Sequence, residues 1–233
     1  MTESTMSSLI RQMKMIRQKG IPMSFFSLAN VSISQYGNRL LKRVFDILFS
    51  LPVCALLTLF LPLIAVIIKM QSPGPLFFTQ KRTGMNGKIF TIVKFRSMDV
   101  NMQSDMLQAT KDDSRKFAFG DFIRRTNIDE LPQFYNVLKG NMSVVGPRPH
   151  MLMHTEQYSK LIDLYMVRHF AKPGITGWAQ VNGFRGETTE LWQMTERVKR
   201  DIWYIENWSI FLDIRIIYLT VKNMLSGNDE MAF

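Results

Sequence analysis

Cysteine is almost absent from this sequence, which contains only Cys54, and histidine is rare, with three among 233 residues. A single thiol excludes an internal disulfide and a cysteine-based zinc site. Acidic residues are also scarce: 19 aspartates and glutamates stand against 29 lysines and arginines, a formal net charge of +10. Such an excess predicts a polyanionic neighbour, which could be nucleic acid, an acidic membrane surface or a phosphate-rich substrate.

Three common catalytic signatures are missing as well. The sequence has no phosphate-binding P-loop, no dinucleotide-binding glycine fingerprint and no Ser-His-Asp arrangement. Hydrophobic residues make up 46% of the chain, which excludes disorder as its overall state. Residues 1–37 form a basic arm in which four apolar residues recur at helical spacing: Leu9, Ile10, Met13 and Ile16. This arm is either a helix on an anionic membrane surface or a frayed terminus.

The longest apolar run covers residues 44–70 and carries charge only at Asp46 and Lys69. As a helix it would extend roughly 40 Å, enough to cross the hydrocarbon core of a bilayer. We therefore predict a membrane anchor over residues 38–70. Pro62 lies inside the run and removes the backbone hydrogen bond to the Thr58 carbonyl, which favours a bend there.

Both flanks of this run are basic, with three cations before it and four at its end or after it: Arg39, Lys42 and Arg43, then Lys69, Lys81, Arg82 and Lys88. A spanning helix keeps its Lys/Arg excess on the cytoplasmic side alone. The charges therefore favour a re-entrant helix, broken at Pro62, with both ends in the cytoplasm. A kinked spanning helix is the competing interpretation.

Residues 71–233 have the pattern of one compact domain. Turn formers and period-two segments predict a small β-hairpin, and longer segments have helical periodicity. The predicted strands are Leu76–Gln80 and Lys88–Phe95, and the predicted helices are Phe117–Lys139, Thr188–Arg200 and Ile210–Leu225. The predicted fold class is α+β, mostly helical, with a re-entrant membrane helix hairpin followed by a compact cytoplasmic domain containing a small β-hairpin or sheet.

Asp129 and Glu130 are adjacent acids that follow Arg124 and Arg125. Neighbouring helical residues diverge by about 100°, so both can reach one ligand only near a helix end or a distortion. Carboxylates there could coordinate magnesium or attack phosphorus. Acids near a helix start also occur simply because they complement the helix dipole.

Several cations and polar groups are candidates for phosphate recognition. Arg148 is fixed between Pro147 and Pro149, and a rigid guanidinium suits bidentate phosphate binding. It is equally compatible with an ordinary turn. Three further cations lie near the predicted strand ends: Lys94, Arg96 and Arg82. Segment 173–183 is rich in turn formers around a tryptophan and predicts a ligand-facing or membrane-facing loop with three polar candidates: Thr176, Gln180 and Asn182.

Taken in order, these segments resemble the bacterial sugar transferase family, the monotopic polyprenyl-phosphate glycosyl phosphotransferases. The resemblance covers roughly residues 38–222 and rests on KRVFDILFS, SPGPLFFTQKRTG, FTIVKFRSM, RRTNIDELPQFYNVLKGNMSVVGPRP, KPGITGWAQVNGFRGET and DIWYIENWSIFLDIRII. One departure concerns the anchor, because many members have serine before the anchor proline whereas Leu61 precedes Pro62 here. The segment from GWAQVNGFRGET onward is most similar to transferases that load glucose phosphate or galactose phosphate onto undecaprenyl phosphate.

The resemblance implies a two-step mechanism. Asp129 would attack the sugar-bearing phosphate of a UDP-sugar, releasing UMP, and undecaprenyl phosphate would then take the phosphosugar from the carboxylate. Glu130 would help to hold Mg²⁺ or tune Asp129, Arg148 would bind phosphate, and Lys94 and Arg96 would assist. The implied role is the first membrane step of exopolysaccharide, capsule or O-antigen synthesis.

The implied partners are the UDP-sugar, undecaprenyl phosphate and inner-membrane lipids, without nucleic acid, and a homo-oligomer stays open. The implied location is the bacterial inner membrane, with the catalytic domain facing the cytoplasm. Two alternatives also stay open. The chain could run the same chemistry on an N-acetylated UDP-sugar, or it could be a non-catalytic basic membrane adaptor.

Overall fold

The computed structural model describes residue 33 and residues 36–99, 115–186, 188 and 190–226. Most of the predicted basic arm therefore lies outside the described residues. The helices and strands follow one another along the chain as α1 (Tyr36–Gln71), β1 (Phe77–Thr83), β2 (Ile89–Phe95), α2 (Ala118–Arg125), α3 (Gln133–Leu138), β3 (Ser143–Val145), α4 (Leu152–Leu161), β4 (Gly174–Thr176), α5 (Trp178–Val181), α6 (Leu191–Glu206) and α7 (Ile210–Leu225). Three short 3₁₀ turns join them: Met85–Gly87, Ile128–Glu130 and Tyr165–Phe170. The prediction of a mostly helical α+β chain with a small sheet is confirmed.

Helix α1 is one helix among the described residues that is long and apolar enough to cross a membrane. It continues without interruption past Pro52 and Pro62. The sequence analysis had instead predicted a helix that is broken at Pro62. Thr58, whose carbonyl Pro62 leaves without its usual donor, donates its hydroxyl to the Cys54 carbonyl at 2.8 Å. Back-bonding of this kind often bends helices. The structure does not establish the predicted re-entrant hairpin of the membrane helix.

One face of α1 packs along the domain. Its buried residues recur at helical spacing: Lys42, Asp46, Ser50, Cys54, Leu57 and Ile68. Asp46 accepts hydrogen bonds from the Ser143 hydroxyl at 2.8 Å and the Val144 amide at 2.9 Å, at the start of β3. Arg43 donates to the Val137 and Leu138 carbonyls at 2.6 and 2.7 Å, at the end of α3. The first half of α1 is therefore part of the domain core.

The other face of α1 is exposed and apolar. Its exposed residues include Leu48, Leu51, Leu56, Leu59, Phe60, Leu63, Val66 and Met70. A soluble domain seldom exposes a continuous apolar surface of this length. This face therefore supplies the surface that a membrane anchor requires.

Strands β1 and β2 pair antiparallel and confirm the predicted hairpin, with Phe77 opposite Phe95. The segment 117–139, predicted as a helix, is instead divided into α2 and α3 by the 3₁₀ turn Ile128–Glu130. Asn127 causes the division, because it adopts a left-handed conformation (φ 57°) that ends α2 and that asparagine tolerates better than most residues.

A short parallel pair that the sequence analysis did not predict, β3 with β4, brings two glycine-containing segments together. The Gly146 amide donates to the Thr176 carbonyl and the Gly174 amide to the Pro147 carbonyl, each at 2.9 Å. A Cβ atom on Gly174 would lie only 2.1 Å from the Gly146 nitrogen. The close contact therefore requires glycine and fixes the loop 146–149 against segment 174–177.

The aromatic residues near the C-terminus divide into two groups. Tyr204 and Trp208 are buried and donate to the Asp213 carboxylate at 2.7 and 3.1 Å, beside Lys42 of α1. Trp203, Phe211 and Tyr218 are 42%, 79% and 64% exposed. Only the second group can form an interfacial aromatic surface of the kind found at membranes.

Candidate active site

The two adjacent acids lie in the 3₁₀ turn between α2 and α3. Asp129 and Glu130 are 7% and 6% exposed. The tighter 3₁₀ geometry and the left-handed Asn127 place both acids at a distortion, where two neighbouring side chains can serve one site. This satisfies the condition that the sequence analysis set for the pair.

Glu130 is bound by three cations from three different parts of the chain. Its Oε1 lies 2.7 Å from Lys94 Nζ and 2.9 Å from an Arg148 amino nitrogen. Its Oε2 lies farther from cations, 3.4 Å from Arg148 and 3.7 Å from Arg185. Burial opposes the charge of Glu130, but these cations outweigh burial and hold its pKa well below the usual range. Glu130 is therefore a fixed anion that aligns Lys94 and Arg148.

Asp129 has a different environment. Among the described residues, none makes a hydrogen bond or a close ion pair with its carboxylate, although Lys94, Arg124 and Arg185 act on it electrostatically. Burial raises the pKa of Asp129 to about 6, against the lowering effect of Lys94, and the charge of Glu130 adds to the rise. At neutral pH Asp129 is an ionised carboxylate with weak solvation, which is the state that favours nucleophilic attack.

The charges of the site do not balance. Lys94, Arg124, Arg148 and Arg185 surround two carboxylates. An excess of two positive charges in a buried site favours an anionic ligand, and the planar guanidinium groups suit phosphate oxygens. The arrangement can therefore receive a diphosphate next to a carboxylate that has no hydrogen bond from the described residues.

The loop that carries Arg148 is held from beneath by a buried ion pair. Arg168 donates to the Arg148 carbonyl at 2.8 Å and lies 2.7 Å from Asp201 of α6, and both charged side chains are almost fully buried. Arg168 also contacts His150. Arg82 donates to the Pro149 carbonyl at 3.3 Å. The predicted rigidity of this loop thus comes from these contacts as well as from its prolines.

Some predicted site residues lie away from the acidic pair. Arg96 binds the Ser72 hydroxyl at 2.8 Å and the Pro73 carbonyl at 3.0 Å, so it fixes the turn after α1 and does not reach the acids. Arg82 supports the loop and is not part of the cation cluster. Asn182 is exposed and donates to the Trp178 carbonyl at 2.7 Å at the end of α5. In this structure all three side chains make contacts within the protein, and their predicted role in substrate binding stays a prediction.

Thr176 and Gln180 lie beside the site, in the wall of a cavity next to Glu130. The sequence analysis missed Arg185, which contacts both Glu130 and the side chain of Asn127. Its position within the glycine-containing segment GFRG is a signal that could have identified it, because turn-forming residues flank this arginine as they flank Arg148. It also missed Arg168 and Asp201, which no local pattern distinguishes.

The fold and the site together define an α+β protein with a long apolar helix and a cationic pocket around two buried carboxylates. The family model of the bacterial sugar transferase family matches residues 37–227. The chain belongs to this family, as the sequence analysis predicted.

Individual relatives are similar over most of this chain. A UDP-glucose:undecaprenyl-phosphate glucose-1-phosphate transferase of Escherichia coli K12 is 54% identical over 186 residues, which cover 79% of this chain and 40% of that protein. A Xanthomonas campestris protein of the same name is 57% identical over 164 residues, 70% of this chain and 34% of that protein. A UDP-N-acetylgalactosamine-undecaprenyl-phosphate N-acetylgalactosaminephosphotransferase of Aeromonas hydrophila is 41% identical over 189 residues, 80% of this chain and 44% of that protein. The matched part thus spans less than half of each relative.

Proposed function

We propose that this chain transfers a hexose phosphate from a UDP-sugar to undecaprenyl phosphate and releases UMP. The observation that supports this function best is the contrast within the acidic pair. Glu130 is paired with Lys94, Arg148 and Arg185, whereas Asp129 beside it carries no hydrogen bond from the described residues. A nucleophile next to a fixed cation cluster is the arrangement that phosphoryl transfer needs.

In the first step, an Asp129 carboxylate oxygen attacks the phosphorus that bears the sugar. The bond from this phosphorus to the oxygen shared with UMP breaks, and UMP leaves with the electron pair. An acyl phosphate between Asp129 and the sugar phosphate results. In the second step, a phosphate oxygen of undecaprenyl phosphate attacks the same phosphorus, the bond to Asp129 breaks, and the lipid diphosphate sugar leaves with the carboxylate restored.

The cations neutralise the charge that builds on the leaving UMP and on the transferring phosphate. Arg148 and Lys94 are held in place by Glu130, so little reorganisation is needed when the donor binds. Arg185 and Arg124 both act electrostatically on Asp129 and orient the diphosphate. Burial of the pair excludes water from the acyl phosphate.

The residues present are compatible with Mg²⁺. Two carboxylate oxygens are available to it: one on Asp129, and Oε2 of Glu130, which is the less tightly paired oxygen of that group. No larger cluster of histidine, cysteine or acidic side chains occurs among the described residues, so donor phosphate oxygens and water would complete the ligand set. When bound, the ion would neutralise the diphosphate.

For the donor we propose UDP-glucose, with UDP-galactose as the next candidate, because two relatives that cover most of this chain are named for glucose. The name of the Aeromonas relative makes an N-acetylated UDP-sugar the third candidate. A screen of UDP-sugars, scored by release of UMP, distinguishes the donors. A non-catalytic adaptor would release UMP from none of them.

We also propose that α1 is re-entrant at the inner membrane, with the domain in the cytoplasm. A spanning helix is surrounded by lipid, whereas α1 packs one polar-edged face on the domain from Lys42 to Ile68. At about 1.5 Å per residue, the length of this 36-residue helix exceeds the thickness of the hydrocarbon core, which is roughly 30 Å. Packing along the domain and apolar exposure on the opposite face suit a helix that enters the bilayer without crossing it.

The function is tested with Asp129→Asn, which keeps the shape of the side chain but cannot form the acyl phosphate. We expect UMP release from UDP-glucose in the presence of undecaprenyl phosphate and Mg²⁺ to fall by at least about 10³-fold, as for other lost nucleophiles. The control is Glu156→Gln on α4, an exposed acid whose partner is Lys160. Near-normal turnover in Asp129→Asn would refute the assignment.

A further inference from the structure

A cavity of about 390 Å³ opens beside Glu130 and is lined by residues of the surrounding helices, strands and turns. Its apolar side chains include residues of α1, α3, β3 and α7: Phe49, Phe134, Val144, Ile217, Val221 and Met224. A cavity of this size is typical of small-molecule sites. The two steps of the proposed reaction do not by themselves require a ligand in this cavity.

The lining of the cavity has two parts that differ in chemistry. One part contains Glu130 and Arg185 of the cation cluster, together with Arg125 of α2 and Asn127. Another part comes from α7, where the lining residues Val221 and Met224 are 50% and 45% exposed. The cavity thus leads from the phosphate-binding groups to apolar surface between α1 and α7, the two helices with the most exposed apolar residues.

We infer that this cavity binds the first isoprene units of the polyprenyl phosphate acceptor. The inference rests on the proposed function. A lipid phosphate has one anionic end and one apolar end, and the cavity matches them in that order. Arg125 and Arg185 line the cavity together with Glu130, the neighbour of Asp129, and would bind the acceptor phosphate there, while the apolar wall receives the adjoining chain. The remaining length of the chain leaves past Val221 and Met224 into the bilayer.

The competing occupant is the nucleoside of the donor, and the wall suits it poorly. A uracil ring needs both donors and acceptors along its edge, but several polar side chains of the wall already have partners within the protein. The Thr176 and Thr220 hydroxyls bind each other at 2.6 Å, and the Gln180 amide donates to the Ile175 carbonyl at 3.2 Å. Gln180 Oε1 is buried without a partner, and one acceptor cannot recognise a uracil edge alone.

The test separates the two half-reactions. Val221→Trp places a large ring at the apolar end, and Ile214→Trp is the control because Ile214 lies seven residues earlier on α7, is 51% exposed and does not line the cavity. The donor half-reaction is followed as exchange of labelled UMP into UDP-glucose, which needs no lipid. The acceptor half-reaction is followed as the KM for undecaprenyl phosphate.

For Val221→Trp we expect the acceptor KM to rise roughly 10–100-fold, the range over which the fit of an apolar pocket changes recognition. UMP exchange should stay within about twofold of the parent protein, and Ile214→Trp should change neither quantity. An unchanged acceptor KM would overturn the inference, and so would a rise in the donor KM, which would assign the cavity to the nucleoside. Loss of exchange in the unsubstituted protein would refute the proposed function instead.

A second measurement uses the unsubstituted chain and does not depend on the folding of a variant. A polyprenyl phosphate with a photoreactive group on its second isoprene unit is irradiated with the enzyme in lipid nanodiscs. We expect labelled peptides to include residues 217–224, and excess unlabelled undecaprenyl phosphate to suppress the labelling. Labelling confined to the exposed face of α1 would overturn the inference, because the chain would then lie in the bilayer only.

Discussion

Asp129 and Glu130 are chemically similar neighbours that the fold makes different. Glu130 is paired with cations and its pKa is well below the usual range, whereas burial raises the pKa of Asp129 to about 6. When the pKa values of two acids are pushed apart, their roles separate as well. One acid organises the cations, and the other is available to react.

The activity should depend on the ionisation of Asp129. Attack requires the carboxylate, so kcat/KM for the UDP-sugar is expected to be constant above the pKa of about 6 and to fall about tenfold per pH unit below it. Glu130 stays ionised over this range. A pH series of kcat/KM at saturating Mg²⁺ measures the midpoint, and a profile that is flat down to pH 4.5 would contradict this assignment.

The same group should lower the stability of the protein at neutral pH. The pKa of Asp129 is higher in the folded state than the ordinary value of 3.8, so the folded protein binds its proton more tightly and loses stability as pH rises from about 4 to about 6. Asp129→Asn removes this loss and should raise the free energy of unfolding at pH 7.5 by at most about 3 kcal/mol. Thermal unfolding in detergent at pH 7.5 and pH 5 tests this, because the gain should shrink at the lower pH. An equal gain at both values would count against it.

Sequence reasoning could find the acids, Lys94 and Arg148, because each stands in a short, unusual pattern. It could not rank the other cations. Arg96 ends a strand just as Lys94 nearly does, yet the two side chains point to different partners, Ser72 and Glu130. Only the pairing of the hairpin with α1 and with the acidic turn decides which cation reaches the site.

At the scale of elements, the site is built where short pieces meet. The turn Ile128–Glu130, the end of β2, and the loop after β3 each contribute one part of the cation cluster. The split of segment 117–139 could not be predicted from periodicity, because α2 and α3 are both short. The parallel pair of β3 and β4 is three residues per strand, too short for a period-two pattern.

The Arg168–Asp201 pair should position the loop that carries Arg148. Arg168→Lys keeps the charge but cannot bind Asp201, His150 and the Arg148 carbonyl together. We expect the KM for the UDP-sugar to rise about tenfold with a smaller change in kcat. The reason is that Arg148, which binds the phosphate, is displaced, whereas Asp129 keeps its position. Steady-state kinetics with varied donor measures both constants.

The control for this prediction is Lys199→Arg on α6, where the exposed parent side chain pairs with Glu196. It should leave both constants unchanged. A general structural role for Arg168 would lower the thermal midpoint and kcat in proportion and leave KM as it was. That outcome would remove the positioning role.

At the scale of the whole molecule, α1 belongs to the domain as much as to the membrane. The apolar run was evident from sequence, but an apolar residue facing protein and one facing lipid look alike there. The buried face from Lys42 to Ile68 is therefore a structural finding. Thr58, which binds the Cys54 carbonyl and lies 2.6 Å from the Tyr135 hydroxyl, supports the helix near Pro62, where many family members use serine.

The re-entrant arrangement can be tested by labelling the two ends of α1. Cys54 is the only cysteine, so Cys54→Ala provides a background for Tyr36→Cys and Met70→Cys, at positions 85% and 81% exposed. We expect a membrane-impermeant maleimide to label both positions from the cytoplasmic side only, as it labels the exposed domain control Glu156→Cys. Labelling of one end from the opposite side would establish a spanning helix.

The covalent intermediate on Asp129 tests the account most directly. The protein is incubated with UDP-glucose and Mg²⁺ without lipid acceptor, stopped in acid and analysed by intact-protein and peptide mass spectrometry. We predict a mass increase of one hexose phosphate less water, confined to the peptide that contains Asp129, absent from Asp129→Asn and discharged by undecaprenyl phosphate. Protein that turns over substrate while its Asp129 carboxylate stays unmodified at every time point would contradict the central claim.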